Sequence, residues 1–355
     1  MIGRFAPSPT GAQHLGNART FLLTWLSTRS QNGQLLLRIE DLDTPRVKSW
    51  ASDQILDDLA WLGLSWDAGD HGDGTLRDHL LQTERTERHR EVLGKLIARE
   101  LVYPCTCTRG DIAAAASAPH EILSSTQSKD HLADSFHRRW RETLDSAGHT
   151  YPGTCSHRSA REARDLQAAG RTFSWRFRMP SGSFRWIDQL AGPMEIQNLA
   201  QLGDFVVAKQ TGAPSYQLAV IVDDQDAGVT EVVRGEDLLL STFRQEVLRR
   251  SLGLPSPTYY HVPLVVGCDG RRLAKRHGDH RIAWYRQSGF ASEEIIGWLA
   301  TVSGLIPTYQ PTRPSDLLDQ FSWARLSRQT LVLDQSPWPN RASPGESPES
   351  GNEPT

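Results

Sequence analysis

Apolar residues recur along this chain with two periods, and the switches between them predict a succession of strands and helices. Phe21, Leu22, Trp25 and Leu26 fall at helical spacing within 18–30, with Asn17 placed to cap that helix. Gln34 to Ile39 is a short continuous apolar run suited to a buried parallel strand. Ile55, Leu56, Leu59 and Leu62 mark one face of a helix over 49–62, and Val92, Leu93, Leu96 and Ile97 mark another over 85–101. Phe173 to Arg178 alternates apolar with polar, which predicts a strand with one buried face that returns the chain to the sheet. Residues 205–209 read as a further strand. The apolar segment 215–224 fits strand or helix, and its lack of alternation favours helix. Residues 230–238 predict a strand and its turn, after which Thr242 and Gln245 read as a capping box opening a helix through Leu248. A strand at 263–266, helical spacing over 282–303 and a helical segment at 316–326 follow, and the proline-rich stretch from Gln335 onward predicts a disordered tail. The fold class is α/β.

The interruptions carry the candidate chemistry. Arg4 to Asn17 holds Pro7, Pro9, Gly11 and Gly16 between the first strand and the first helix, which forbids regular structure there. His14 is thereby held at a helix mouth, where backbone N–H groups and the helix dipole favour phosphate. Taken alone, His14 reads more readily as a solvated loop histidine. The strand at 34–39 delivers Glu40, Asp41 and Asp43 at its carboxyl end, the end that faces ligands in open α/β sheets. Asp43 reads as a polar strand exit.

Length and composition set the bounds. The 355 residues have room for two or three domains, and a net charge of −3 carries no global nucleic-acid signal. Basic residues do cluster at Arg138, Arg139, Arg141, Arg158, Arg161 and Arg164, and again at Arg271, Arg272, Lys275, Arg276 and Arg281. No run of eighteen apolar residues exists, and no basic segment leads into an apolar stretch at the amino terminus, so a soluble, cytoplasmic protein with no membrane partner is expected. Cys105, Cys107, Cys155 and Cys268 are too few and too unevenly spaced for a disulfide framework. Their spacing leaves buried thiols and metal ligation both open, with burial the plainer reading of Cys-x-Cys alone.

Three strings together carry a resemblance. Arg4-Phe5-Ala6-Pro7-Ser8-Pro9-Thr10-Gly11 leading into His14-Leu15-Gly16-Asn17 resembles the opening of class I aminoacyl-tRNA synthetases of the glutamyl group, with a degenerate HIGH element. Leu37-Arg38-Ile39-Glu40-Asp41 resembles that group's LRIED motif, and Gly270 to His277 resembles its KMSKS loop, with Arg272 and Ala274 replacing a lysine and a serine. The resemblance implies that His14 and Lys275 are catalytic, and that His14, Gly16, Asn17, Arg272, Leu273 and Lys275 bind ATP with its Mg²⁺. It implies an L-glutamate site made by Arg4, Ala6, Ser8, Glu40, Tyr216 and Arg234, with Glu40 taking the α-ammonium. It also implies one structural Zn²⁺ on Cys105, Cys107, Tyr151 and Cys155, while His149 and His157 flank this set as alternative fourth ligands. The stretch between Cys107 and Tyr151 is longer than is usual in the family and reads as a surface insertion.

The expected architecture is a Rossmann-like class I synthetase catalytic domain with an inserted zinc-bearing subdomain and a small C-terminal helical stem-contact region. Its segments are 1–101 and 171–250 for the two catalytic halves, 102–170 for the insertion, 251–334 for the KMSKS-like loop and helices, and 335–355 for the tail. About eighty residues follow Lys275, fewer than the ~100 of a usual second domain, so a large anticodon-reading domain is not expected. That architecture resembles the truncated, tRNA-modifying branch of the family, which implies transfer of glutamate to the queuosine base of tRNA(Asp), by a protein expected to be a monomer. An ordinary glutamyl-tRNA synthetase, a non-catalytic glutamate-binding paralogue and a small-molecule nucleotidyltransferase are the alternatives. The last fails to explain Arg4, Glu40, Tyr216 and Arg234 together.

Overall fold

The computed structural model describes residues 1–108, 110–112, 151–267 and 280–333. The stretch at 113–150, the stretch at 268–279 that carries Arg272, Leu273 and Lys275, and the tail 335–355 lie outside the described residues.

A parallel layer forms first, because strands that are apolar on both faces need helices to cover them. β1 (Ile2–Phe5) leads through the Pro/Gly turn into α1 (Leu15–Ser30), and β2 (Gln34–Ile39) returns parallel to β1, pairing Arg4 with Leu36. After α2 (Ala51–Trp61), a small hairpin of β3 (Gly69–Asp70) and β4 (Leu76–Arg77) leads into β5 (Leu80–Leu81), which lies parallel beside β2. α3 (Thr86–Ala98) then carries the chain to β6 (Val102–Cys105).

Following α4 (Glu162–Ala168), β7 (Ser174–Phe177) does not rejoin that layer as its alternation suggested. It pairs antiparallel with β6 on one side and, beyond the hairpin of β8 (Phe184–Asp188) and β9 (Gly192–Ile196), with β10 (Phe205–Ala208) on the other. Its polar face is covered as well: Arg176 is buried, donating to the Asp204 carbonyl and lying over the Tyr151 ring.

α5 (Tyr216–Asp226) is a helix, as the absence of alternation indicated. β11 (Glu231–Gly235) then runs alongside β1, where Thr230 N donates to the Ile2 carbonyl at 2.9 Å. α6 (Leu239–Leu252) crosses to β12 (Thr258–Val262), which pairs parallel with β11 and, at Tyr259, with β8. β13 (Val265–Gly267) pairs with β14 (Leu331–Leu333), and between them lie α7 (Ile282–Gln287), α8 (Ser292–Val302) and a 3-10 turn at Pro314–Gln320.

Two cores result. One surrounds α3, α5 and α6; the other joins α1 and α2 to α7, α8, Leu317 and Leu326, so the C-terminal helices share their apolar interior with the first helix.

Candidate active site

A cavity of about 930 Å³ opens at the carboxyl ends of β1, β2 and β11 and at the amino end of α1. Arg4, Ala6, Ser8, His14, Gly16, Asn17, Glu40, Tyr216 and Arg234 all line it. These nine were separate candidates in the sequence, and folding brings them to one place.

The mouth of α1 is built differently from the expectation that Asn17 caps it. The helix starts at Leu15, and His14 is the cap: its Nδ1 accepts from Gly16 N–H at 3.1 Å. Asn17 Oδ1 reciprocates by accepting from His14 N–H at 3.1 Å. An imidazole nitrogen can fill a role usually given to a short oxygen side chain because Gly16 lets the ring fold back; a Cβ there would stand 3.0 Å from His14 Cε1. With Nδ1 accepting, the ring proton of the neutral form is on Nε2. On either side of the stretch that carries Lys275, described residues reach this mouth. Val265 lies against Gly16, Leu15 N donates to the His280 carbonyl at 3.1 Å, and Ile282 N donates to the Gln13 carbonyl at 2.9 Å.

Behind the cavity lies a charged layer that is almost wholly buried. Arg38, a lone cation in an apolar strand, donates to Asp224 Oδ1 at 2.7 Å and to Glu40 Oε1 at 3.1 Å. Arg4 donates to the Val233 carbonyl at 3.3 Å and holds its Nε 3.5 Å from the same Asp224 oxygen. Burial would raise the pKa of Asp224, but Arg38, Arg4 and Arg249 outweigh it and hold that carboxyl below its ordinary value. For Glu40 the balance goes the other way, burial raising its pKa more than Arg38 and Arg4 lower it. Burial lowers the pKa of Arg4, against the pull of Asp224. Cations and carboxylates thus alternate in this buried layer, and Arg4 and Glu40 carry it to the cavity surface, an arrangement suited to a small zwitterion.

Arg234 has its own cage. Its Nη2 donates to Thr242 Oγ1 at 2.6 Å and Gln245 Oε1 at 2.8 Å, its Nε to His261 Nε2 at 3.1 Å, and its Nη1 to Tyr216 Oη at 3.4 Å. Thr242 and Gln245 are therefore not a capping box. They lie inside α6, whose cap position is Leu238, and their spacing of three puts both on the face that meets β11.

Away from the cavity, Cys105, Cys107 and Cys155 hold their sulfurs within 4.8 Å of one another, the group among the described residues suited to a metal ion. Tyr151 Oη lies among them, 3.5 Å from Cys105 Sγ and 3.8 Å from Cys107 Sγ, and Cys107 Sγ is 3.6 Å from Cys155 Sγ. Ligands bound tetrahedrally at about 2.3 Å stand about 3.8 Å apart, so these spacings fit a four-coordinate ion. Burial works to raise the pKa of Cys155, but hydrogen bonds from Thr106 and Tyr151 outweigh it and bring it down to about 7. Burial with the neighbouring Cys155 pushes Cys107 up to about 11. His157 is exposed and outside the group; His149 lies outside the described residues.

The family described as tRNA synthetases class I (E and Q), catalytic domain, matches residues 1–310. The chain belongs to that family. A glutamyl-Q tRNA(Asp) synthetase of Rhodopirellula baltica is 44% identical over 94% of this chain and 96% of its own length. One of the same name from Symbiobacterium thermophilum is 44% identical over 94% and 96%. Among solved structures, a glutamate tRNA ligase from Elizabethkingia meningosepticum in complex with its amino acid superposes with a TM-score of 0.73 at 23% identity, over 94% of this chain and 67% of that one, a likeness of fold. This class I synthetase is accordingly a ligase.

Around the cavity of the synthetase, several residues escaped the sequence reading. Asp224 was visible only as a carboxylate ending an apolar helix. Arg38 carried a signal, a charge in an otherwise apolar strand with Glu40 two residues on and so on the same face. Asp188 and His261 carried none, since 73 residues separate them. Lys209 reaches the rim, where it pairs with Asp43 at 3.1 Å, so Asp43 is more than a strand exit.

Proposed function

We propose that this enzyme activates L-glutamate with ATP and transfers it to the queuosine base at the anticodon of tRNA(Asp). The observation that carries the reading is the single cavity lined both by the phosphate-type mouth of α1 and by Arg4, Glu40, Tyr216 and Arg234. Relatives matched over nearly their whole length bear the name of that activity, which supports the finer assignment.

Two arginines answer the two carboxylates of glutamate, and Glu40 answers its ammonium. A glutamate α-carboxylate oxygen attacks the α-phosphorus of ATP in line; that P–O bond forms as the bond to pyrophosphate breaks, giving glutamyl-adenylate. His14 Nε2–H and the amide groups at the start of α1 take up charge on the phosphates, with Mg²⁺ carried in by ATP and Lys275 completing the clamp. A hydroxyl of the cyclopentenediol ring of queuosine then attacks the activated carbonyl, an ester forms, AMP departs and the hydroxyl proton goes to solvent. Cys105, Cys107 and Cys155 as thiolates, with the Tyr151 oxygen, would hold one Zn²⁺ that pins the end of β6 to the segment at 151–155.

The test incubates the purified protein with ATP, Mg²⁺ and labelled glutamate in the presence of tRNA from queuosine-making cells or from cells unable to make it. Label in the first pool alone is the expected result. Equal label in both pools would indicate ordinary glutamyl-tRNA synthesis and overturn the assignment of the acceptor.

A further inference from the structure

Arg234 and His261 are register partners in the adjacent parallel strands β11 and β12, so their side chains leave the same face of the sheet. Behind them, Asp188 is the last residue of β8, register partner of Tyr259 in β12. Its Oδ1 accepts from Leu190 N at 2.9 Å and Ala191 N at 2.7 Å, and its Oδ2 accepts from His261 N at 3.1 Å and His261 Nδ1 at 2.7 Å. Asp188 and His261 are both wholly buried.

We propose that Asp188 and His261 form a positioning pair for the amino-acid site: Asp188 fixes the His261 tautomer, and His261 Nε2 receives the Arg234 Nε–H and so aims Arg234 Nη1 into the cavity. The inference rests on reading this cavity as the glutamate site.

The geometry supports each link. A carboxylate at Nδ1 places the ring proton there and leaves the Nε2 lone pair as an acceptor. Arg234 Nε, at 3.1 Å, then finds a partner, and Thr242 Oγ1 lies 2.8 Å from the same nitrogen. Burial lowers the pKa of His261 against the pull of Asp188, favouring the neutral ring that alone can accept here. A guanidinium is planar, with five N–H groups in a rigid fork. Fixing Nε on His261 and both Nη2 hydrogens on Thr242 and Gln245 therefore fixes the direction of Nη1 as well. Nη1 faces Tyr216 Oη, on the cavity wall. Trp186 and Tyr259 hold the imidazole ring by edge and face, with centroids at 5.7 and 5.9 Å. His261 thus acts on the substrate only through Arg234.

Two substitutions separate this role from plain packing. His261→Asn keeps an N–H near the Nδ1 position for Asp188 and withdraws the acceptor from Arg234. His261→Gln keeps an oxygen near the Nε2 position and withdraws the donor from Asp188. Glutamate-dependent pyrophosphate exchange, with thermal melting alongside, is measured for both. His261→Asn is expected to raise the KM for glutamate roughly ten- to hundredfold, the range for a buried charged group that loses a partner, with the KM for ATP within about twofold of wild type. His261→Gln is expected to recover most of that loss. Equal glutamate KM values for the two variants, or changes that simply follow their melting temperatures, would overturn the proposal. Nitrogen NMR of histidine-labelled wild-type protein tests the first link without any variant: an Nδ1-protonated His261 supports it, and an Nε2-protonated ring refutes it. Absence of glutamate-dependent exchange in the wild type would instead remove the glutamate reading on which the inference stands.

Discussion

At the start of α1, the two ring nitrogens of His14 have separate tasks. Nδ1 caps the helix by accepting from Gly16, and the proton this leaves on Nε2 makes that nitrogen a donor. Asparagine divides the tasks, since its short oxygen can still cap but it has no group in the place of Nε2. His14→Asn should therefore melt within a few degrees of wild type while kcat in pyrophosphate exchange falls by on the order of 100- to 1000-fold, the usual effect of losing a preorganised donor. Full activity in that variant would show that Nε2 contributes nothing. His14→Ala removes both tasks and should also lose about 1 kcal/mol of stability, read from denaturant unfolding. The position of His14 was legible in the sequence from the prolines and glycines around it. Its capping role was not, because sequence rules for caps favour short oxygen side chains and so pointed to Asn17.

Among the elements, the antiparallel sheet of β6, β7 and β10 shows what periodicity conveys and what it omits. Alternation at Phe173 to Arg178 identified a strand correctly, but it cannot say which sheet receives the strand, nor that Arg176 on its polar side is covered by Tyr151. The spacing of Thr242 and Gln245 had the same limit. Three residues apart fits a capping box or two neighbours on one helix face, and only the approach of β11 decides between them. The cysteine set was legible only through the resemblance, since the spacing of Cys105 and Cys107 alone left burial the plainer reading, and the fold brings Cys155 to them. Elemental analysis of the purified protein should find about one zinc per chain, and Cys155→Ser should lower that ratio together with the melting temperature. A metal-free preparation whose melting is unaffected by chelators would exclude a structural ion at this cluster.

Across the whole molecule, the helices that follow β13 are part of the buttress of the active site. Periodicity over 282–303 showed that these residues form helices with an apolar face, but not what covers that face. In the structure α1 covers it: α8 and the turn at Pro314–Gln320 pack on α1, and Leu299 is fully buried in the same core as Leu15, Leu22 and Leu26. Polar ties run beside this core. Arg19 on α1 donates to the Pro263 carbonyl at 2.6 Å and to Ser303 Oγ at 2.9 Å, and Trp323 Nε1 donates to Ser27 Oγ at 3.2 Å. A region built this way cannot loosen without unseating the helix whose first turn holds His14. Leu299→Ala should cost about 2–5 kcal/mol, and because the lost contacts belong to the shared core, calorimetry should show the main unfolding transition moving down as one. A new early transition, with the main one unmoved and pyrophosphate exchange intact through it, would mean that the C-terminal helices unfold alone. The single shift would instead bring loss of exchange activity at the temperature where the helices melt, because α1 then loses the packing of α8 and the Pro314–Gln320 turn.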